Sequence, residues 1–122
     1  MEKNVKGDEK IMKKLIIIFI SLIMLTGCTK ETKITKINGS KAKELIKENA
    51  VLIDVRTKEE YNEGHIEDAI NIPHTEINKI NYDKDTVIIV YCRSGNRSNL
   101  AAEELVSLGY TSIYDLGSID NY

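Results

Sequence analysis

The chain has 122 residues, the size of one domain, since domains usually run to about 100–150. Seventeen Lys+Arg against nineteen Asp+Glu give a net charge of −2, which excludes a basic nucleic-acid binder. Two cysteines, Cys28 and Cys92, and two histidines, His65 and His74, exclude a disulfide-rich scaffold and a four-cysteine zinc site, and no metal or cofactor is expected.

In chain order, the first distinctive segment is Leu15 to Leu25 (LIIIFISLIML), eleven residues with Ser21 as the one polar member. A helix of that length covers roughly 16 Å, about half of a bilayer's hydrocarbon core. It is too short to span but has the size of the apolar region of a secretory signal, and Lys13-Lys14 supplies its positive flank. Leu25-Thr26-Gly27-Cys28 follows directly and resembles the lipobox of bacterial lipoproteins, whose cysteine is lipidated and becomes the mature N-terminus. The resemblance implies a signal peptide over residues 1–27, lipid attachment at Cys28, a tether over residues 28–33, and an extracytoplasmic domain held on the bacterial cell membrane. An uncleaved anchor with an incidental cysteine is the alternative. Met12-Lys13-Lys14 also reads as a more natural start than Met1, because the residues up to Ile11 are unusually charged for a signal's head.

Without residues 1–27 the chain loses five Lys+Arg and three Asp+Glu and carries a net of −4, with six tyrosines as its only Phe, Trp or Tyr residues. Residues 34–122 are left to fold as one modest core. Val51-Leu52-Ile53-Asp54-Val55 and Thr86 to Tyr91 are short, β-branched and almost continuously apolar, as strands covered on both faces are. Weaker strands are predicted at Ile34 to Ile37, Ala69 to Ile72 and Ser112 to Leu116. Helical spacing runs over Ser40 to Asn49 through Ala42, Leu45 and Ile46. Thr57 and Glu60 form a capping-box signature. Ser98 to Leu108 places Leu100, Ala101, Leu105 and Leu108 on one stripe that ends at Gly109, with Ser98 as N-cap. Alternation of this kind predicts an α/β fold with a mostly parallel sheet and helices on both faces. Ligands in such sheets sit beyond the carboxyl ends of the strands.

The strongest strand runs into Cys92-Arg93-Ser94-Gly95-Asn96-Arg97-Ser98. Ser94, Gly95 and Asn96 can bend tightly, so that successive N–H groups face one concavity that holds an anion. A helix starting here points its positive end at the same space, and Arg93 and Arg97 add charge that cannot be titrated away. A free thiol is only about 3% thiolate at about pH 7, whereas helix N-termini and nearby cations raise that fraction greatly. Cys92 is therefore the candidate nucleophile, and Arg93, Ser94, Gly95, Asn96, Arg97 and Ser98 the candidate substrate-binding residues.

The loop resembles that of the rhodanese (thiosulfate sulfurtransferase) family: a cysteine, four residues, then arginine followed by Ser or Thr. A second block resembles the family's other signature. It runs from Leu52-Ile53-Asp54-Val55-Arg56-Thr57 through Glu60-Tyr61 and Gly64-His65-Ile66 to Ala69-Ile70-Asn71-Ile72-Pro73. The resemblance covers the chain from about Ile34 onward and implies a five-stranded, mostly parallel sheet flanked by helices. It also implies a Cys92 persulfide, loaded from a small sulfur compound such as thiosulfate and unloaded by an external thiol or thiol protein, in a monomer without cofactor. Asp54, Arg56 and His65 are then architectural residues near the site, and His74 caps a turn or lies on the surface. The end, Leu116-Gly117-Ser118-Ile119-Asp120-Asn121-Tyr122, departs from the family pattern. Ser118 stands where glycine is usual and Tyr122 where tryptophan is usual, which predicts an abbreviated or frayed final helix.

Three rival readings remain. A cysteine-dependent phosphatase or arsenate reductase has five residues between Cys and Arg, and this loop has four. A lipid-anchored binding module that keeps the fold without catalysis would be expected to have lost the cysteine. A Cys28–Cys92 disulfide is incompatible with a lipidated Cys28.

Overall fold

The structure, a computed structural model, describes residues 33–122. The lipobox, Cys28 and the apolar run before it lie outside the described residues. Among the described residues no helix is long and apolar enough to cross a membrane. Five strands, β1 (Thr35–Lys36), β2 (Val51–Asp54), β3 (Ile70–Asn71), β4 (Val87–Cys92) and β5 (Ser112–Ser118), form one sheet in the order β1-β5-β4-β2-β3. Every pairing is parallel, as the alternating sequence predicts. Parallel neighbours need crossovers, and those are supplied by helices α1 (Gly39–Lys47), α2 (Lys58–Glu63) and α3 (Asn96–Ser107).

The central strands β4 and β2 are nearly all buried because both faces are covered. Alternation along β4 divides the core. Ile88, Val90 and Cys92 face one layer with Ala101, Ala102 and Leu105 of α3 and with Ile77. Ile89 and Tyr91 face the other with Ala42 and Leu45 of α1 and with Leu52 and Ile66. The edge strands are two residues each, shorter than predicted.

Local chemistry explains the helix starts. Asn38 accepts from the Lys41 amide at 2.9 Å at the head of α1. Thr57 and Glu60 close the predicted capping box at the head of α2. Gly109 takes the left-handed conformation (φ 97°) past the end of α3, as expected of a C′ residue.

Three expectations are corrected. Helix α3 begins at Asn96, two residues before the predicted start, so Ser98 is not its N-cap. That position belongs to Gly95, which is left-handed at φ 97° and has no side chain to offer. Leu100 is 52% exposed rather than on the core stripe, and Ala102 takes the buried place. The segment 74–79 (His74–Lys79) is a 3-10 helix that periodicity did not reveal. His74 is its first residue rather than its cap, with its amide donating to the Val55 carbonyl at 2.9 Å.

The end of the chain is short but not frayed. Ile119–Asn121 makes a single 3-10 turn, and Asn121 Nδ2 donates to the Leu116 carbonyl at 2.8 Å. The Lys43 ammonium lies 4.7 Å from the centre of the Tyr122 ring and 3.3 Å from the Tyr122 backbone oxygen.

Candidate active site

Strand β4 delivers Cys92 to the carboxyl edge of the sheet, where the chain turns through residues 93–95 into α3. The residue is completely buried, and its Sγ accepts from the Gly95 amide at 3.0 Å. Burial pushes the thiol's pKa up. Donation from the Ser98 amide and hydroxyl and from the amides of Gly95 and Ser94 outweighs burial, and the net shift is downward. The Ser98 hydroxyl also lies 3.0 Å from the Gly95 carbonyl, and its single proton serves either that oxygen or the sulfur. Ser98 thus acts from inside the first turn, fully buried, although it is not the cap.

The loop folds this way because Gly95 can be left-handed, which turns its own amide back toward residue 92. Gly117, also left-handed (φ 77°), lies against it: a Cβ on Gly95 would sit 3.6 Å from the Gly117 Cα. That approach depends on a register shift between β4 and β5. Val90 pairs with Asp115 but Tyr91 pairs with Gly117, leaving Leu116 as the extra residue. The Asp115 carboxylate accepts from the Gly117 amide at 2.8 Å and holds the irregularity.

The two loop arginines differ in role. Arg97 is not a free cation over the thiolate. It makes a bidentate pair with Glu60, at 2.6 Å and 2.9 Å, that ties α3 to α2. Arg93 is exposed and lines a cleft with Arg56, Glu60, Glu63, Gly64, Ile119 and Asp120. A second cleft is lined by Ser94, Gly95, Asn96 and Asn99 together with Gly117 and Asn121. Cys92 itself lines neither cleft. Among the described residues no three His, Cys, Asp or Glu side chains gather as a metal-ligand group.

Asp54 and Arg56 form a buried pair behind the loop. The guanidinium bonds the carboxylate through Nε (3.0 and 3.1 Å) and one terminal nitrogen (2.7 Å), and also donates to the Gly64 carbonyl at 2.7 Å. Strand register sets Asp54 beside Tyr91, whose hydroxyl donates to Asp54 Oδ2 at 2.8 Å and accepts from the Ile66 amide at 3.1 Å. Burial drives the Tyr91 phenol strongly upward, with Asp54 adding to the rise, so it remains a hydrogen-bond donor. His65 stacks on Tyr61 with ring centres 3.7 Å apart, and its Nδ1 lies 2.8 Å from the Tyr61 carbonyl. The hydrogen bonds of the Asp54 and His65 side chains go to Arg56, Tyr91 and Tyr61 rather than to the sulfur.

Sequence reasoning missed Glu60, Ser118 and Tyr91 as parts of the site. Glu60 carried a signal for its capping role alone. Ser118 was legible only as an oddity, yet its hydroxyl donates to the Arg93 carbonyl at 2.6 Å.

Comparison with known proteins bears on the family and the fold. The model of the rhodanese-like domain matches residues 39–122. Thiosulfate sulfurtransferase PspE of Escherichia coli is 38% identical over 71 residues, covering 55% of this chain and 68% of that protein. The adenylyltransferase and sulfurtransferase uba4 of Ogataea parapolymorpha is 41% identical over 68 residues; they make up 53% of this chain, which spans only 18% of that longer protein. Among solved structures, a rhodanese with anions from E. coli superposes with a TM-score of 0.56 at 35% identity, covering 60% of this chain and 91% of the other. With a family match over most of its length and the cysteine loop at the sheet's carboxyl edge, the chain belongs to the rhodanese-like domain family.

Proposed function

We propose that the chain, a rhodanese-family sulfurtransferase, moves a sulfane sulfur from a donor such as thiosulfate to an external thiol through a persulfide on Cys92. The observation that carries this reading is the position of the Cys92 sulfur, buried at the end of β4 among the Ser94, Gly95 and Ser98 donors. The thiolate attacks the outer sulfur of thiosulfate. The S–S bond breaks, its electron pair leaves with sulfite, and Cys92 retains the transferred sulfur as a persulfide anion. A thiolate acceptor then attacks that outer sulfur, and the Cys92 thiolate leaves. Both forms of the enzyme carry one negative charge at this place, so the same donors stabilise the resting and the loaded state. Arg93, exposed in the cleft it shares with Arg56, would meet an anionic donor, while the loop amides would hold a sulfur atom.

The same reading holds the enzyme as a monomer on the outer side of a membrane by a lipid on Cys28. It is supported by the charged, apolar and small-small-Cys order of residues 13–28. Lipid labelling that persists in Cys28→Ser would overturn the anchor. Transfer from thiosulfate to cyanide tests the chemistry, with mass spectrometry of the Cys92 peptide after donor treatment. The parent chain should gain one sulfur atom and Cys92→Ser should lose turnover; equal rates in the two would end the covalent mechanism, and no turnover in the parent would leave the fold as a binding module.

A further inference from the structure

We propose that the Ser118 hydroxyl is a positioning group for the nucleophile: by holding the Arg93 carbonyl, it fixes the peptide plane whose other end is the Ser94 N–H. This role rests on the reading of Cys92 as the sulfur carrier. A peptide unit is rigid and planar, so the Arg93 C=O and the Ser94 N–H point in opposite directions and cannot turn independently. Ser118 Oγ donates to that carbonyl at 2.6 Å and in turn accepts from the Asp120 amide at 3.1 Å. The accepted bond orients the hydroxyl, leaving its own proton for Arg93. At the opposite end of that plane the Ser94 residue leads directly into Gly95, whose amide donates to Cys92 Sγ at 3.0 Å, and the Ser94 amide adds the smallest of the contributions that favour the charged form of Cys92.

The placement follows from the sheet. Ser118 pairs with Cys92 across β4 and β5, one step beyond the register shift, so its side chain reaches the turn that leaves Cys92. The final 3-10 turn, Ile119–Asn121, supplies the Asp120 amide, and Asn121 ties that turn back to Leu116. A glycine at position 118 would leave the Arg93 carbonyl without this partner and the Arg93–Ser94 plane free to rotate.

The test is the alkylation rate of Cys92 against pH, read on its own peptide by mass spectrometry, in the full chain and in Ser118→Ala and Ser118→Thr. Loss of part of one charge-assisted hydrogen bond should slow alkylation of Ser118→Ala roughly three- to tenfold at about pH 6, with the rates converging at alkaline pH. Ser118→Thr, which keeps the hydroxyl, should restore the parent profile. A Ser118→Ala profile identical to the parent's, or one displaced by the same factor at every pH, would overturn the role, because the latter reports access to the sulfur only. An ordinary thiol profile in the parent chain would instead defeat the enzyme reading itself.

Discussion

Arg97 of the cysteine loop and Glu60 of α2, 37 residues apart in sequence, meet as a bidentate ion pair at the mouth of the site. Glu60 Oε2 also accepts from the Thr57 amide at 3.0 Å and hydroxyl at 3.1 Å. One carboxylate thus closes a helix cap and anchors the loop that shapes the Cys92 pocket. Both side chains are about three-quarters covered, which screens the pair less than an exposed one.

Arg97, with help from Thr57, holds the Glu60 carboxyl at about 2, against 4.5 for a free glutamate. A depressed acid contributes stability that is full above the unfolded value and lost as pH falls through the folded one. Glu60→Gln should therefore melt lower than the parent at neutral pH, by about 1–2 kcal/mol, and lose several-fold in kcat/KM. The gap should close between about pH 4.5 and 2, and a constant gap across that range in thermal melts would count against the pair.

The thiol of Cys92 is shifted the same way, below its ordinary value of 9.0, because amide and hydroxyl donation outweighs burial. The thiolate is the reactive form, so lowering its pKa extends activity toward acid. Loading by thiosulfate should persist below the ordinary thiol range and fall as pH drops through the lowered value. A kcat/KM profile whose acidic limb sits at the ordinary thiol position would show that the loop does not act on the sulfur.

Asp54 is fully buried and paired with Arg56 and Tyr91. Removing its charge in Asp54→Ala strands the guanidinium, a loss of about 3–5 kcal/mol. Tyr91→Phe, which orphans the Ile66 amide, should cost about 1–3 kcal/mol. Urea titration distinguishes the two: comparable losses for both variants would mean that the tyrosine, not the ion pair, carries the network.

The glycines predict two different failures. Gly95→Ala meets Gly117 at an ordinary 3.6 Å, so its penalty is backbone strain at φ 97°, about 1–2 kcal/mol, concentrated at the loop and seen as lost turnover. Gly39→Ala has no such strain but puts its Cβ 2.5 Å from the Asn121 backbone oxygen and 2.7 Å from that of Tyr122. It should displace the final turn, which protease clipping near Tyr122 would reveal; an unclipped variant with the parent's melting temperature would contradict the contact.

Short β-branched runs at residues 51–55 and 86–91, a capping box at Thr57 and a cysteine followed by small flexible residues are local signals, and local physics settles them. That is why the parallel α/β architecture, the start of α2 and the position of Cys92 were readable in one dimension. Ser98 has a good capping side chain, but that is only a propensity and does not fix the helix start. Gly95, free to be left-handed, let the helix begin two residues earlier and drew Ser98 inward against the sulfur. The Glu60–Arg97 pair, the Tyr91 bond to Asp54 and the Ser118 bond to Arg93 join residues 25 to 37 positions apart. No periodicity encodes such meetings. Strand order, the two-for-one register shift after Val90 and the direction of each crossover decide them, because only the folded sheet fixes which side chains share an edge.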